Sequence, residues 1–176
     1  RFFTPVNFAV ALVGNLLFGA QNESLRLHHA RGPIKIGLDA PGRGAARFWH
    51  KFLSSKGPSH QFDGAQNDSH FSLVLAAIIR DFRKSHLPKD LHHLVDRYYA
   101  MVYRMWANVR GCLLPLDGQP TGHTNTAADN SLGYLIVCIL HAIRSGLSLK
   151  DFQNMFLAIM GDDMLLKDPH GVFDPK

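Results

Sequence analysis

Met155-Phe156-Leu157-Ala158-Ile159-Met160-Gly161-Asp162-Asp163-Met164-Leu165-Leu166 is the stretch that decides the fold. Two short apolar runs flank one glycine and two adjacent aspartates. Runs of this length around a turn signal predict a buried β-hairpin with Gly161 and Asp162 in the turn. Carboxylates side by side at the tip of an apolar hairpin repel each other, and a cation between them relieves the repulsion. Carboxylate oxygens with few other donors are the ligands that Mg2+ or Mn2+ prefers. The same tripeptide also fits an ordinary polar turn, so its surroundings have to decide.

Upstream, Phe62-Asp63-Gly64-Ala65-Gln66-Asn67-Asp68 ends a strand-like step on one aspartate and places another at the entry to a helix. An aspartate on a strand beside the hairpin supplies the third carboxylate that two divalent ions about 3.5–4 Å apart require. The plainer reading is that Asp63 and Asp68 cap a helix. Between these stretches lies Gly118-Gln119-Pro120-Thr121-Gly122-His123-Thr124-Asn125-Thr126-Ala127-Ala128-Asp129-Asn130. Here a Gly-bearing loop feeds a helix start, whose unpaired N–H groups and positive dipole end suit a phosphate. Thr126 and Asn130, one helical turn apart, can address one ligand. A turn followed by Thr/Asn capping is the alternative.

In this order, Asp63-x4-Asp68, Thr121-Gly122-x3-Thr126-x3-Asn130 and Gly161-Asp162-Asp163 resemble motifs A, B and C of viral RNA-dependent RNA polymerases, most closely those of positive-strand RNA viruses. Arg1-Phe2-Phe3-Thr4-Pro5 is similar to the end of the basic fingers motif F. Gly37-Leu38-Asp39 with Trp49 resembles a segment before motif A in picornavirus-like and astrovirus-like polymerases. The resemblance covers nearly the whole chain. It departs from the family at Ser59-His60-Gln61-Phe62, more polar than the usual apolar strand, and at Thr121, where Ser is commoner. Motif D, motif E, the thumb and most of the fingers are missing from this sequence, so the excerpt alone is expected to be inactive.

The resemblance implies an α+β polymerase palm: a small antiparallel sheet in a ferredoxin-like arrangement packed on helices, plus part of the fingers. Residues 1–58 would be the fingers-derived segment and residues 59–176 the palm core. The implied activity is template-directed RNA synthesis by two-metal nucleotidyl transfer, in viral genome replication. Asp63 and Asp162 would bind two Mg2+ ions (Mn2+ as the alternative), with Asp163 assisting. Arg1 would contact the incoming triphosphate. Asp68 and Asn130, aided by Thr126, would read the ribose 2′-hydroxyl, and Thr121 and Gly122 would form the loop that handles template and nascent base pair. Implied partners are the RNA template and nascent strand, ribonucleoside triphosphates, and the missing fingers and thumb. The implied location is the host cytoplasm, at viral replication complexes. A reverse transcriptase shares the palm and metals, but its aromatic gate falls near Asp68, so Asp68 and Asn130 speak against it. A non-catalytic RNA-binding fragment is disfavoured by retention of all three acidic positions.

Composition agrees with a folded domain of this kind. The 176 residues are 46% hydrophobic and 19% charged, which excludes a disordered chain. The net charge of +5 is uneven, with +6 carried by residues 1–56 and −1 by the remainder. A basic first third beside an Asp-bearing remainder fits a polyanion on one side and metal chemistry on the other. Cys112 and Cys138 lie in separate apolar segments without metal-ligand spacing, and both read as buried free thiols. The apolar runs Val6–Ala20 and Leu132–Leu140 fall short of the ~20 residues of a membrane span, and no signal-peptide pattern is present. The chain begins without Met and stops soon after the hairpin, which reads as an excerpt of a longer polypeptide.

Element by element, Thr4-Pro5 predicts a helix start, followed by Phe8, Ala9, Leu12, Val13, Leu16 and Leu17 at helical spacing. Residues 30–58 read as a basic, Gly/Pro-punctuated region with a short helix over Ala45–Leu53. Helices are expected over Phe71–Phe82, Pro88–Val109 and Asn125–Arg144, and a short strand over Gly111–Leu116. Tyr98, Tyr99, Tyr103 and Trp106 at helical spacing read as packing residues. The pairs His28-His29 and His92-His93 point to different helical faces and so do not read as zinc ligands.

Overall fold

The computed structural model describes residues 6–39, 42–64, 71–116, 118–120 and 122–173. They fall into two compact units, one of residues 1–22 and 65–129, the other of residues 23–64 and 130–176. Two long helices, α1 (Phe8–Leu27) and α5 (Thr126–Arg144), begin in the first unit and end in the second.

The second unit is built on the expected hairpin. Strands β4 (Phe156–Met160) and β5 (Asp163–Lys167) pair antiparallel with Met160 opposite Asp163, leaving Gly161 and Asp162 in the turn. Strand β1 (Ser59–Asp63) pairs antiparallel along the other side of β5, so the sheet order is β1-β5-β4. Because side chains alternate along a strand, each face takes a different partner. On one face Ile159, Met164 and Leu166 pack with Cys138 and Ala142 of α5 and with Phe173. On the other, Phe156 meets Phe48 and Phe52 edge-on, with ring centroids 5.5 and 5.3 Å apart. Those two rings belong to α2 (Arg43–Ser54), which lies where a short helix was expected. The outer edge of β4 is covered by Pro33–Lys35: Ile159 N donates to Pro33 O at 2.9 Å and Lys35 N to Ile159 O at 2.7 Å. The opposite edge is β1, with exposure alternating along it. That position accounts for its polar sequence, since an edge strand has one flank open to water.

The first unit gathers the start of α1, α3 (Leu73–Lys84), a 3-10 turn at Lys89–Leu91, and α4 (His92–Tyr103). Phe18, Ile79, Val95 and Val102 are buried in it, as are Tyr98, Tyr99 and Tyr103. The tyrosines therefore pack as their spacing predicts. Trp106 does not: it is 66% exposed and lies on a strand.

Two further expectations need correction. The helix expected over Pro88–Val109 stops at Tyr103, and β2 (Met105–Val109) and β3 (Cys112–Leu116) form an antiparallel hairpin. Its loop is Arg110-Gly111, with φ of 53° and 88°. Two successive positive-φ residues make a turn whose twist matches the flanking strands, and this local chemistry outweighs a helical spacing of apolar residues. Cys112 consequently sits on that hairpin and is exposed, while Cys138 is buried and its thiol is pushed up to about 12 by burial. In α1 the apolar positions at helical spacing face outward, with Phe8 81% and Leu16 78% exposed, while Gly14 and Phe18 are buried. By length and composition alone, α5 is long and apolar enough to cross a membrane. Its buried Ala128, Leu132, Cys138 and Ala142 are those of a core helix. Thr4 and Pro5 lie outside the described residues.

The hairpin reading makes a signed prediction. Gly111→Ala places a Cβ in open space but at positive φ, and should destabilise the protein by about 1–2 kcal/mol in denaturant unfolding. Were this segment helical, the same change would stabilise it.

Candidate active site

Three acids from two distant segments lie at one end of the sheet. Asp63 is the last residue of β1, Asp163 the first of β5, and the two are directly opposed in the register. Directly opposed residues on antiparallel strands share a face, and like charges there are destabilising. Asp162 occupies the turn, and its carbonyl accepts from Gly64 N at 3.2 Å, which carries the β1–β5 pairing past Asp63 to the turn. From α5, the buried Ser131 accepts the Gly161 N–H on its hydroxyl at 2.9 Å and so fixes the turn from below. Among the described residues, no cationic side chain forms an ion pair with Asp63, Asp162 or Asp163. The Tyr134 hydroxyl is raised above its ordinary pKa by burial and then by the charges of Asp162 and Asp63, so both carboxylates act on it.

The donor chemistry fits a hard divalent ion. Among the described residues, however, no group of three His, Cys, Asp or Glu side chains converges as a ready-made cage. Mg2+ is ordinarily held by one or two carboxylates together with waters and substrate phosphates. Asp63 and Asp163, on one face of the sheet, are two carboxylates of the kind such a site draws on.

The loop and helix start expected to carry a ligand are organised by a buried polar network in the first unit. Arg83 and Asp129 are 1% and 0% exposed. Arg83 donates Nε and Nη2 to one oxygen of Asp129, at 2.9 and 2.6 Å, and Nη1 to Asn22 Oδ1 at 2.9 Å and Gln21 Oε1 at 3.2 Å. The second Asp129 oxygen accepts from Tyr99 at 3.0 Å and Tyr103 at 3.3 Å. Burial opposes the charge on Arg83, but the Asp129 carboxylate outweighs it and the guanidinium pKa lies above its usual value. Tyr103 accepts from Gln119 Nε2 at 3.1 Å. Asn125 accepts from Asn22 Nδ2 at 2.7 Å, and its backbone N–H donates to His123 Nδ1 at 3.3 Å. An accepting Nδ1 requires a neutral ring, and burial pushes the His123 pKa down to about 4.

Of the residues singled out in the sequence, Asp63, Asp162 and Asp163 come together. Thr126 opens α5, with its hydroxyl donating back to His123 O at 2.9 Å and Pro120 O at 3.3 Å. Gly122 lies in the loop before it. Asn130 is 7% exposed, and its buried Oδ1 has no hydrogen-bond partner. Arg1, Asp68 and Thr121 lie outside the described residues. Sequence reasoning missed Arg83, Asp129, Gln119, His123, Ser131 and Tyr134. The available signal was Asp129 itself, a charge in the first turn of a largely apolar helix.

A three-stranded antiparallel sheet carrying carboxylates at one end, over a long core helix, is a polymerase palm arrangement. The family model for viral RNA-dependent RNA polymerase matches residues 1–174, and the chain belongs to that family. Among solved structures, it is similar to the RNA-dependent RNA polymerase of a human picorbirnavirus, with 18% identity and a TM-score of 0.74. It is equally similar in fold to an insertion-loop deletion mutant of that enzyme, with 20% identity and a TM-score of 0.74. The match covers 97% of this chain and 33% of the mutant's chain, or 32% of the other. The chain thus spans about a third of the length of these structures. No curated protein matches it.

The buried network yields two predictions. Removing one partner, by Arg83→Met or Asp129→Leu, should cost about 3–5 kcal/mol by stranding the other charge. Combining the two should recover much of that in chemical unfolding. For His123, the folded pKa lies below the unfolded value of 6.5, so the unfolded state binds the proton more readily. Stability is then complete above pH 6.5 and falls as the pH drops towards 4, by on the order of 3 kcal/mol. In unfolding measured across that range, His123→Gln should lack this part of the slope.

Proposed function

We propose that this chain is the palm core, with an adjoining fingers-derived segment, of a polymerase that synthesises RNA on an RNA template. The palm would be residues 59–176 and the fingers-derived part residues 1–58. The observation that carries the reading is the opposition of Asp63 and Asp163 across β1 and β5, with Asp162 bonded through its carbonyl to the residue after Asp63. A sheet that opposes like charges without a paired cation keeps an arrangement that costs stability unless a cation joins it.

In this reading Asp63 and Asp162 hold divalent ions, taken to be two Mg2+ with Mn2+ as the alternative, and Asp163 adds negative charge beside them. Such ions lower the pKa of a primer 3′-hydroxyl and neutralise the triphosphate and leaving pyrophosphate. Ser131 and the backbone of Gly64 hold the turn and the end of β1 in place, so the carboxylates need little rearrangement when substrate arrives. Asn130 carries a buried acceptor without a protein partner, which suits a sugar hydroxyl, with Asp68 and Thr126 assisting. The Thr121-Gly122 loop would follow the template and nascent base pair, and Arg1 the triphosphate. The basic first third would contribute phosphate contacts that are salt-sensitive and independent of sequence. RNA template, nascent strand and ribonucleoside triphosphates are the partners this chemistry requires.

The test is made in the full-length polymerase. Asp63→Asn and Asp162→Asn should each abolish primer extension while leaving the unfolding midpoint near that of the parent. Normal Mg2+-dependent extension by either variant refutes the assignment. Asn130→Ala should lower the preference for ribonucleotides over deoxyribonucleotides about ten- to a hundredfold, the equivalent of losing roughly 1–3 kcal/mol of hydrogen bonding to the sugar. Competing single-nucleotide incorporation measures the ratio. Equal slowing of both substrates would make Asn130 a structural cap.

A further inference from the structure

One side chain beside the acids belongs to none of the motif positions. Tyr134 lies on α5 three residues after Ser131, so the two share a helical face. Ser131 holds Gly161, the residue before Asp162. Tyr134 reaches Gly64, the residue after Asp63: a Cβ on Gly64 would overlap the Tyr134 hydroxyl. The same point lies 3.1 Å from Tyr134 Cζ and 3.1 Å from Asp162 Cβ. The phenol is therefore wedged where the end of β1 passes the turn, and only a residue without a side chain lets it in. Both carboxylates act electrostatically on its hydroxyl.

The chemistry of a phenol suits this place. A Lys or Arg here would neutralise the carboxylates and compete with a metal ion for them. A neutral O–H offers one hydrogen bond to an acidic oxygen and leaves the charge for the ion. Groups that orient metal ligands in this way are worth about 10–100-fold in metal affinity.

We propose that Tyr134 is a positioning residue for the metal-binding acids: wedged between Gly64 and Asp162, its hydroxyl sets the spacing and orientation of the Asp63 and Asp162 carboxylates and so tunes their affinity for divalent cations. The proposal rests on the reading of those two acids as metal ligands, and its test separates the two.

The measurement is Mn2+ binding to the full-length polymerase without nucleotide, followed by the electron paramagnetic resonance signal of free Mn2+. Unfolding midpoint and far-UV circular dichroism are recorded in parallel. Tyr134→Phe should weaken Mn2+ binding about tenfold with the fold retained. Gly64→Ala should weaken it comparably in the parent, because the new Cβ displaces the hydroxyl. In the Tyr134→Phe background it should weaken binding much less, because that hydroxyl is already gone. Asp63→Asn and Asp162→Asn supply the reference by losing the site. Parent-like Mn2+ affinity in Tyr134→Phe, with the site lost in the Asp variants, overturns the positioning role and leaves the metal reading standing. Independent, additive effects of Tyr134→Phe and Gly64→Ala overturn it as well, as does a loss of affinity that only tracks a loss of folded protein. Parent-like binding by both Asp variants brings down the metal reading and the role of Tyr134 together.

Discussion

The buried ion pair between Arg83 and Asp129 is the constraint on which the start of α5 and the loop before it depend. Taking two charges out of water costs several kcal/mol per ion, and the structure offsets this by satisfying the groups around them. One Asp129 oxygen takes two guanidinium N–H groups, the other takes two tyrosine hydroxyls, and the remaining Arg83 nitrogen is shared by Gln21 and Asn22. The Arg83 guanidinium also lies 5.1 Å from the centroid of the Phe18 ring. The network gives each of these buried groups a specific partner. It fixes which face of α5 turns inward at Asp129. Through Asn22, Asn125, Gln119 and His123 it also fixes the loop that leads into the helix.

The acids at the sheet end obey a different economy. Nothing among the described residues neutralises Asp63, Asp162 or Asp163, although ion pairs occur elsewhere on the same chain, as between Lys84 and Asp96 at 2.9 Å. The contrast is between a carboxylate matched by a buried cation and carboxylates without one. Asp129 is paired and enclosed, whereas Asp63 and Asp163 are opposed to each other and Asp162 sits in a turn held by the Gly64 backbone and the Ser131 hydroxyl. Those neutral contacts, from Ser131 and Gly64, fix position without consuming charge.

Much of this was legible in the residues. Gly161-Asp162 between two short apolar runs specified the hairpin, because a turn signal between such runs acts locally. Asp63 at the end of a polar strand, Thr126 and Asn130 one helical turn apart, and the order of the three motifs pointed to the family. The helices at Arg43–Ser54, Leu73–Lys84 and Thr126–Arg144 appeared within a few residues of their expected limits. Errors arose where a local pattern had two readings. The apolar spacing from Leu91 to Val109 fitted one long helix, but Arg110-Gly111 turned its last part into a strand.

By itself, then, the sequence determined what depends on neighbouring residues: the hairpin, the helix spacings, the motif order and the chemistry of the acids. Only the tertiary structure decided what depends on residues far apart. The opposition of Asp63 to Asp163 spans a hundred residues, the pairing of Arg83 with Asp129 nearly fifty, and the wedge of Tyr134 at Gly64 seventy. Whether a polar side chain is buried is settled by partners brought from elsewhere in the chain, since burial without them costs more than one residue's own preferences can supply.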